Sequence, residues 1–203
     1  MYIPQSMRLD QKQAWELIER HDFAALVGPD LEATHLPLLL DRSEGELGTL
    51  YGHFARANPH WRTLRGGRAL AIFSGPHAYI SPTWYADRPA VPTWNYLAVH
   101  ATGTLELLDA EATRALLNRS LARYEPALLD SLPREQGYLE KMQAGVAGFR
   151  LAIETLQGKA KLGLQRSQAD QDGVEAALAE SRNPQARQLW RYMQQLANEE
   201  SGA

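Results

Sequence analysis

Four segments of the sequence interleave aromatic rings with histidine, asparagine and hydroxyl side chains more densely than ordinary strands need. They read ATHLPLLL from Ala33, LYGHFARANPHW from Leu50, GPHAYISPTWY from Gly75 and VPTWNYLAVHATG from Val91. Polar groups that a fold buries must be hydrogen-bonded, and a large planar polar ligand would satisfy several of these at once. Aromatic residues serve a protein core as readily as a ligand, so both interpretations stay open at this point.

The histidines invite a metal or haem interpretation, since His35, His53, His77 and His100 all lie in or beside these segments. No HExxH pattern or closely spaced acidic partner accompanies them, which favours structural histidines over a metal site. An axial histidine on a haem stays an alternative. Ser81 lacks the surroundings of a nucleophile elbow, so no serine hydrolase is predicted and no catalytic residue is identified.

Short strands in the first two-thirds of the chain must position these segments. Pro37 cannot donate to a β-ladder, so its strand should lie at an edge or carry a bulge. Breaks are expected at Gly75-Pro76 and at Gly103. Without regular strand–helix alternation, the pattern favours an antiparallel barrel. The predicted strands cover residues 23–27, 33–40, 49–55, 69–74, 78–81, 94–108 and 145–156.

Helices flank the predicted strands. Asp10 opens the first, Asn58-Pro59 a short second and Asp109 a third. A helix around Val174 and a last one from Asn183-Pro184 follow. The 203 residues fit one large domain, and we predict a barrel over 1–166 with a C-terminal helical appendage of the same domain over 167–203.

Composition narrows the classes of function. The absence of cysteine excludes disulfides, thiol catalysis and zinc–thiolate sites. It suits a reducing cytosol, and with no visible signal peptide or spanning stretch the expected location is cytoplasmic. A net charge of −3 and a pI near 6.1 disfavour affinity that depends on neutralising nucleic-acid phosphates. The basic cluster of Lys159, Lys161 and Arg166 is typical of a solvated strand end.

Taken together and in this order, the segments resemble the PaiB family of FMN-binding proteins. The resemblance rests on the opening MYIP, on THLPLLL, YGHFARANPHW, GPHAYISPTWY and VPTWNY, and on GFRLAIETLQGKAKL as the last strand. It extends to about Leu164. The family usually continues GK-x-K-L-S-Q-N-R, whereas Gly163, Leu164 and Gln165 stand here in place of Ser, Gln and Asn. This departure affects any ligand contact that the family makes there.

The resemblance implies a mostly β, α+β fold, an antiparallel six-stranded FMN-binding split β-barrel with flanking helices. The implied fold is similar to that of pyridoxamine-phosphate oxidase and of the split-barrel flavin reductases. It also implies a homodimer with FMN at the interface, in a flavin-dependent oxidoreductase or in a flavin-binding protein without turnover. The family label of negative transcriptional regulator, acting by ligand sensing or partner binding and with DNA as the partner that the label suggests, is the first alternative. A haem-binding split barrel is the second.

An FMN site needs two kinds of side chain. The phosphate dianion takes arginine or lysine with hydroxyl and backbone donors, and the ring takes an apolar surface and donors at its edge. Arg56 stands just before a helix start, and Lys159 follows Gly158 at a predicted turn after a strand. Trp84 is a further source of ring surface. The expected cofactor-binding residues are His35, His53, Arg56, Asn58, Tyr79, Ser81, Thr93, Trp94, Asn95, Tyr96, Lys159 and Arg166.

Overall fold

A computed structural model of the chain describes residues 1–128 and 143–201. The chain divides into two compact units. Unit 1 comprises Met1–Asp10, Ser74–Val99 and Gln157–Ala203, and unit 2 comprises Gln11–Phe73 and His100–Leu156. Three long strands contribute residues to both units. The boundary at residue 166 that the sequence suggested stays a prediction.

The described strands form one sheet in the order β3-β2-β6-β7-β8-β5-β4, with β1 paired to β8. The pairs β1–β8, β2–β3, β2–β6, β4–β5 and β5–β8 are antiparallel, which confirms the predicted α+β class. The strand count exceeds the expected six because β1 adds a two-residue strand and the 33–40 strand is divided in two. The strands are β1 Arg8–Leu9, β2 Phe23–Val27, β3 Ala33–Pro37, β4 Leu39–Asp41, β5 Thr49–Ala55, β6 Arg68–Ile80, β7 Thr93–Leu107 and β8 Val146–Lys161.

Pro37 ends β3, which is the terminal strand of the sheet order. It lies opposite Phe23 of β2, and Leu38 then donates its backbone N–H to the carbonyl of Asp22. An edge strand tolerates proline because its outward side needs no ladder donor. The prediction of an edge position at Pro37 is therefore confirmed.

The predicted break at Gly75-Pro76 is wrong, since β6 runs without interruption from Arg68 to Ile80. What changes there is the alternation of buried side chains, which shifts by one residue. A shift of this kind lets a strand pass a proline that lacks a ladder donor, and it turns His77 and Tyr79 to the exposed side. The buried positions are Ala69, Ala71, Phe73 and Gly75, and then Pro76, Ala78 and Ile80.

The predicted interruption at Gly103 is also wrong. Strand β7 continues through this residue to Leu107. A Cβ atom at Gly103 would collide with the backbone carbonyl of Ala152 on β8. Glycine here allows two neighbouring strands to approach closely rather than ending one of them. In the same sheet, β8 extends to Lys161, five residues past its predicted end at 156.

Local sequence signals start several of the helices. The Asp109 side chain accepts a hydrogen bond from the Ala112 N–H at the start of α3, and Ser167 caps α4 by accepting from the Asp170 N–H. Within unit 1, α4 and α5 pack together and bury Leu178, Leu189 and Met193. The helices are α1 Gln11–Arg20, α2 His60–Leu64, α3 Ala110–Tyr124, α4 Gln168–Ala179 and α5 Pro184–Ser201.

Unit 2 has a dense apolar core around Phe54, Phe73 and Phe149, all of them fully buried. These side chains come from β5, β6 and β8, so the sheet itself supplies the largest core residues of this unit. No helix in the described part of the chain is long and apolar enough to cross a membrane.

Candidate functional site

One face of unit 1 gathers exposed aromatic rings around a lysine. We call it the aromatic–lysine face, and three strands and the N-terminal segment build it. Strand β6 presents His77 and Tyr79 after its change of alternation, and β7 presents Trp94 and Tyr96 at alternate positions. The residues of the face are Tyr2, His77, Tyr79, Trp94, Tyr96 and Lys159.

The aromatic part of the face centres on Trp94. Its ring centroid lies 6.0 Å from that of Tyr79 in an edge-to-face arrangement, and 6.2 Å from that of His77. Trp94 is 53% exposed and Tyr79 is 47% exposed. Large aromatic side chains that are exposed and adjacent to one another are typical of binding surfaces.

Lys159 lies at the other end of the face and is buried, with 8% of its surface exposed. The prediction that it follows a flexible turn is wrong, because it sits inside β8. Its Nζ donates to the Tyr2 carbonyl oxygen at 3.1 Å. The same Nζ lies 5.4 Å from the ring centroid of Tyr96 and 5.8 Å from that of Tyr2.

No carboxylate of the described residues forms an ion pair with Lys159. Buried charges in proteins are normally paired, because removing an ion from water is costly. One carbonyl and two ring faces compensate an ammonium only in part. The aromatic–lysine face therefore carries the positive charge of Lys159, which a bound anion would balance.

Three further predicted residues of unit 1 serve the local structure. Ser81 accepts a hydrogen bond from the Thr83 N–H at the start of the turn Pro82–Trp84. Thr93 accepts one from Lys161 Nζ. Buried Asn95 donates from Nδ2 to the Leu162 carbonyl at 2.9 Å. The Thr93 and Asn95 contacts join the start of β7 to the end of β8, whereas the Ser81 contact closes the turn after β6. The roles of these three residues as direct ligands stay predictions.

Arg166 forms an ion pair with Asp170. Its Nη1 donates to Asp170 at 2.8 Å, and its guanidinium lies 3.7 Å from the ring centroid of Tyr85. Asp170 is buried and also accepts from the Asp87 N–H at 2.9 Å. That backbone hydrogen bond and the Arg166 guanidinium lower the pKa of Asp170. Arg166 thereby links α4 to the segment after the turn at Pro82–Trp84, a role the sequence did not indicate.

In unit 2, Arg56 does not face free backbone N–H groups as the sequence argument assumed. Its Nε donates to the Ala144 carbonyl at 3.0 Å and its Nη2 to the Val146 carbonyl at 2.7 Å. The guanidinium also lies 5.8 Å from the ring centroid of Trp61. Carbonyl oxygens already occupy these donors, so a phosphate would have to share the guanidinium with them. Phosphate binding by Arg56 stays a prediction.

Asn58 and a histidine that the sequence reading passed over form a closed network in unit 2. Asn58 Oδ1 accepts from the His60 N–H at 3.0 Å, and its Nδ2 donates to Thr34 Oγ1 at 3.1 Å. Thr34 Oγ1 and His60 Nδ1 share a hydrogen bond of 2.8 Å. His60 is fully buried, and its Nε2 has no hydrogen-bond partner among the described residues. The Asn-Pro pair that starts α2 was the available signal.

The remaining two predicted residues lie on strands of unit 2. His35 is on the edge strand β3, exposed, and its ring stacks 6.2 Å from that of Phe23. His53 is half-buried on β5, and burial lowers its pKa. Binding of a cofactor by either residue stays a prediction.

The Asn58 network predicts a stability effect. Asn58→Ala should lower the free energy of unfolding by about 1–2 kcal/mol, because its hydrogen bonds to the His60 N–H and to Thr34 are lost together. Urea unfolding followed by circular dichroism measures the loss. Asn118→Ala, at an exposed position of α3, is the control and should not lower the stability. A wild-type unfolding midpoint for Asn58→Ala together with weaker ligand binding would instead make Asn58 a ligand contact.

Residues 1–155 match the model of a family described as "Putative FMN-binding domain". The chain belongs to this family. It is also 35% identical over 204 residues to "Protease synthase and sporulation protein PAI 2" of Bacillus subtilis (strain 168), covering 96% of this chain and 97% of that protein. The resemblance to the PaiB family is thereby confirmed.

Solved structures share the fold of this FMN-binding family member. The flavocytochrome Anf3 of Azotobacter vinelandii is similar with a TM-score of 0.63 and 16% identity, over 83% of this chain and 77% of that one. The FAD and heme binding protein of Mycobacterium smegmatis is similar with a TM-score of 0.57 and 19% identity, over 83% and 78%. These similarities confirm the split-barrel fold.

The chain departs from the usual family pattern directly after β8. Gly163 has φ of +81°, in the left-handed region that favours glycine. The serine usual at this position would be strained in that conformation. Leu164 follows with about half of its surface exposed. The departure thus lies in a turn next to Asn95 and outside the residues that match the family, whereas the Trp94 part of the face lies within them.

Proposed function

We propose that this protein binds flavin mononucleotide on the aromatic–lysine face. In this assignment Lys159 holds the phosphate, and Trp94 and Tyr79 contact the isoalloxazine ring. The observation that carries the proposal is the buried Lys159, which lacks a described carboxylate partner and lies against the rings of Tyr2 and Tyr96. Trp94, two residues from Tyr96 on β7, and Tyr79 on β6 supply the exposed rings of the same face. Membership of the FMN-binding family supports the same ligand.

The charge of the ligand fits the charge of the face. A phosphate would give Lys159 the anionic partner that the Tyr2 carbonyl does not provide. Charge-assisted hydrogen bonds are shorter and stronger than those to a neutral carbonyl. Each contributes about 1.5–3 kcal/mol. Riboflavin lacks the phosphate and should gain nothing from Lys159.

The ring of the ligand fits the open aromatic pair. Trp94 and Tyr79 together offer an apolar surface with polar edges, which is the composition of pockets for planar cofactors. A bound flavin supplies redox chemistry, while the protein supplies binding, orientation and electrostatics. We assign these residues to binding and orientation.

We further propose that the protein acts as a homodimer in which a second copy covers part of unit 1. The support is the number of exposed large apolar side chains on this unit, including Tyr79, Val91, Trp94 and Leu164. Patches of this kind in soluble proteins are normally covered. Light scattering should therefore give twice the chain mass. A monomer at every concentration tested would contradict this part of the proposal.

Redox turnover and ligand sensing without turnover would use the same site. Oxidoreductase activity predicts that the absorbance of the bound flavin bleaches when a reduced nicotinamide is added under anaerobic conditions. Sensing predicts binding without bleaching, together with a change in the partners that the protein binds. The name of the Bacillus subtilis relative, a protease synthase and sporulation protein, is the reason to test ligand sensing as well.

The binding proposal predicts a specific pattern in a titration of the apoprotein. FMN fluorescence should quench and its anisotropy should rise at micromolar protein. Trp94→Ala should weaken both FMN and riboflavin by about 2- to 10-fold, the equivalent of one aromatic contact. Phe23→Ala removes an exposed aromatic residue of unit 2 and should change neither affinity. No quenching at tens of micromolar protein would refute the proposal.

A further inference from the structure

We infer that residues 1–4 form a strap that competes with an anionic ligand group for Lys159. The strap occupies the ammonium when the site is empty and leaves it when the anion binds. The inference rests on the proposed function only in that both use Lys159 as the anion site. The strap lowers the affinity for a ligand that carries an anionic group and leaves the affinity for a ligand without one unchanged.

The contact between strap and lysine is made by the backbone. The Tyr2 carbonyl oxygen accepts from Lys159 Nζ at 3.1 Å, and the Tyr2 ring covers the same ammonium at 5.8 Å. Among the described residues, the Tyr2 carbonyl is the one hydrogen-bond acceptor of the Lys159 ammonium. The ammonium has three N–H donors, so we infer that the competition is for the approach to the lysine, which the Tyr2 carbonyl and ring occupy together. The anion is the stronger partner because it adds Coulomb attraction that the neutral carbonyl lacks.

The strap is weakly held elsewhere. Residues 1–4 form no helix or strand, Tyr2 is 84% exposed, and Ile3 and Pro4 are only half-buried. The nitrogen of Met1 donates to Gln157 Oε1 at 2.9 Å, in an exposed contact that water can replace. Segments with few buried contacts open at low free-energy cost. The strap can therefore leave Lys159 without a large loss of stability.

A firm anchor follows the strap. The turn at Gln5–Met7 is closed by the Met7 N–H donating to the Pro4 carbonyl at 3.0 Å. Strand β1 then pairs with β8, with Arg8 opposite Lys159 and Leu9 opposite Gly158. The strap can thus swing away while β1 keeps its place beside the lysine. Displacement requires no unpairing of the sheet.

The competition has a measurable consequence. If a ligand binds only to molecules with an open strap, its apparent affinity equals its intrinsic affinity multiplied by the fraction of molecules in which the strap is open. The bond from the Lys159 ammonium to the Tyr2 carbonyl has a charged donor, and a bond of this kind is worth about tenfold or more in an equilibrium. The conformational freedom that the strap regains on opening offsets part of this, so removal of the strap should tighten FMN binding by about two- to tenfold. Riboflavin has no group for Lys159, so its affinity should stay the same.

The experiment uses two variants of the full protein. One begins at Gln5 after an initiating methionine, and the other is Tyr2→Ala, which keeps the carbonyl and removes the ring over the ammonium. Both are titrated with FMN and with riboflavin, with Phe23→Ala as the control. We expect tighter FMN binding by the truncated protein, a smaller gain for Tyr2→Ala, and unchanged riboflavin binding. Unchanged or weaker FMN binding by the truncated protein would overturn the strap.

Inorganic phosphate separates this inference from the proposed function. Thermal unfolding is measured with and without phosphate for the full chain, for the truncated protein and for Tyr2→Ala, which folds with the whole N-terminal segment in place. Greater stabilisation of the truncated protein by phosphate, with a smaller gain for Tyr2→Ala, supports the strap even if no flavin binds, and in that case the proposed function alone is wrong. If flavin binds and phosphate stabilises all three proteins equally, the strap alone is wrong.

Discussion

Replacing Lys159 with methionine should weaken FMN binding by roughly ten- to a hundredfold and leave riboflavin binding nearly unchanged. The factor is the loss of one charge-assisted contact, about 1.5–3 kcal/mol. Methionine has a similar length and fits a buried position, so the shape of the aromatic–lysine face is preserved. Titration of wild type and variant with both ligands measures the effect directly.

The same substitution should not destabilise the apoprotein. Lys159 is a buried ammonium for which the described residues provide no carboxylate, and replacing a poorly compensated buried charge with an apolar side chain is often neutral or stabilising. Urea unfolding without ligand should therefore give an equal or higher midpoint for Lys159→Met. Lys12→Met, at an exposed position of α1, is the control and should change neither the stability nor the binding of either ligand. Equal losses of FMN and riboflavin affinity would mean that Lys159 shapes the site without binding the phosphate.

The second large effect concerns Arg166 and Asp170. Arg166→Met should lower the melting temperature by roughly 3–12 °C, because a charge-assisted hydrogen bond to a buried carboxylate is lost. Arg187→Met removes an exposed arginine of α5 and should change little. FMN affinity measured well below the melting temperature should match wild type, since the guanidinium is occupied by Asp170. A loss of FMN affinity with unchanged stability would mean that Arg166 binds the flavin phosphate.

The pair also predicts a pH dependence. The pKa of Asp170 is lowered from its ordinary 3.8, first by the Asp87 N–H and then by Arg166. The folded protein therefore binds this proton less readily than the unfolded chain. The stabilisation is fully present above about pH 5 and is lost as the pH falls through the lowered pKa. Asp170→Asn should be less stable at pH 7 and lose less stability on acidification, and a wild-type acid profile would contradict this role.

Much of the fold could be predicted because it rests on local rules. The cap at Asp109 is set by a few neighbouring residues, and so are the start of α2 directly after Asn58-Pro59 and the start of α5 at Asn183-Pro184. Pro37 restricts its strand to an edge whatever the rest of the chain does. Gly75-Pro76 and Gly103 were misjudged for the opposite reason. Whether a glycine or proline ends a strand or adjusts its path depends on the neighbouring strand, as Ala152 shows for Gly103.

The site was less predictable because burial and pairing join distant residues. Lys159 meets the Tyr2 carbonyl across 157 positions, and Asp170 meets the Asp87 N–H across 83. No spacing rule links such pairs, so the sequence could not distinguish a lysine in need of an anion from an arginine that already has one. Lys159 and Arg166 looked equivalent as phosphate ligands. The structure separates them by their partners.

A crystal structure of the protein with bound FMN tests the central claim most directly. We predict a phosphate oxygen within hydrogen-bonding distance of Lys159 Nζ, the isoalloxazine ring against Trp94 and Tyr79, and the Tyr2 carbonyl displaced from the lysine. An FMN molecule bound elsewhere, with Lys159 still donating to Tyr2 as it does at 3.1 Å, would contradict the assignment.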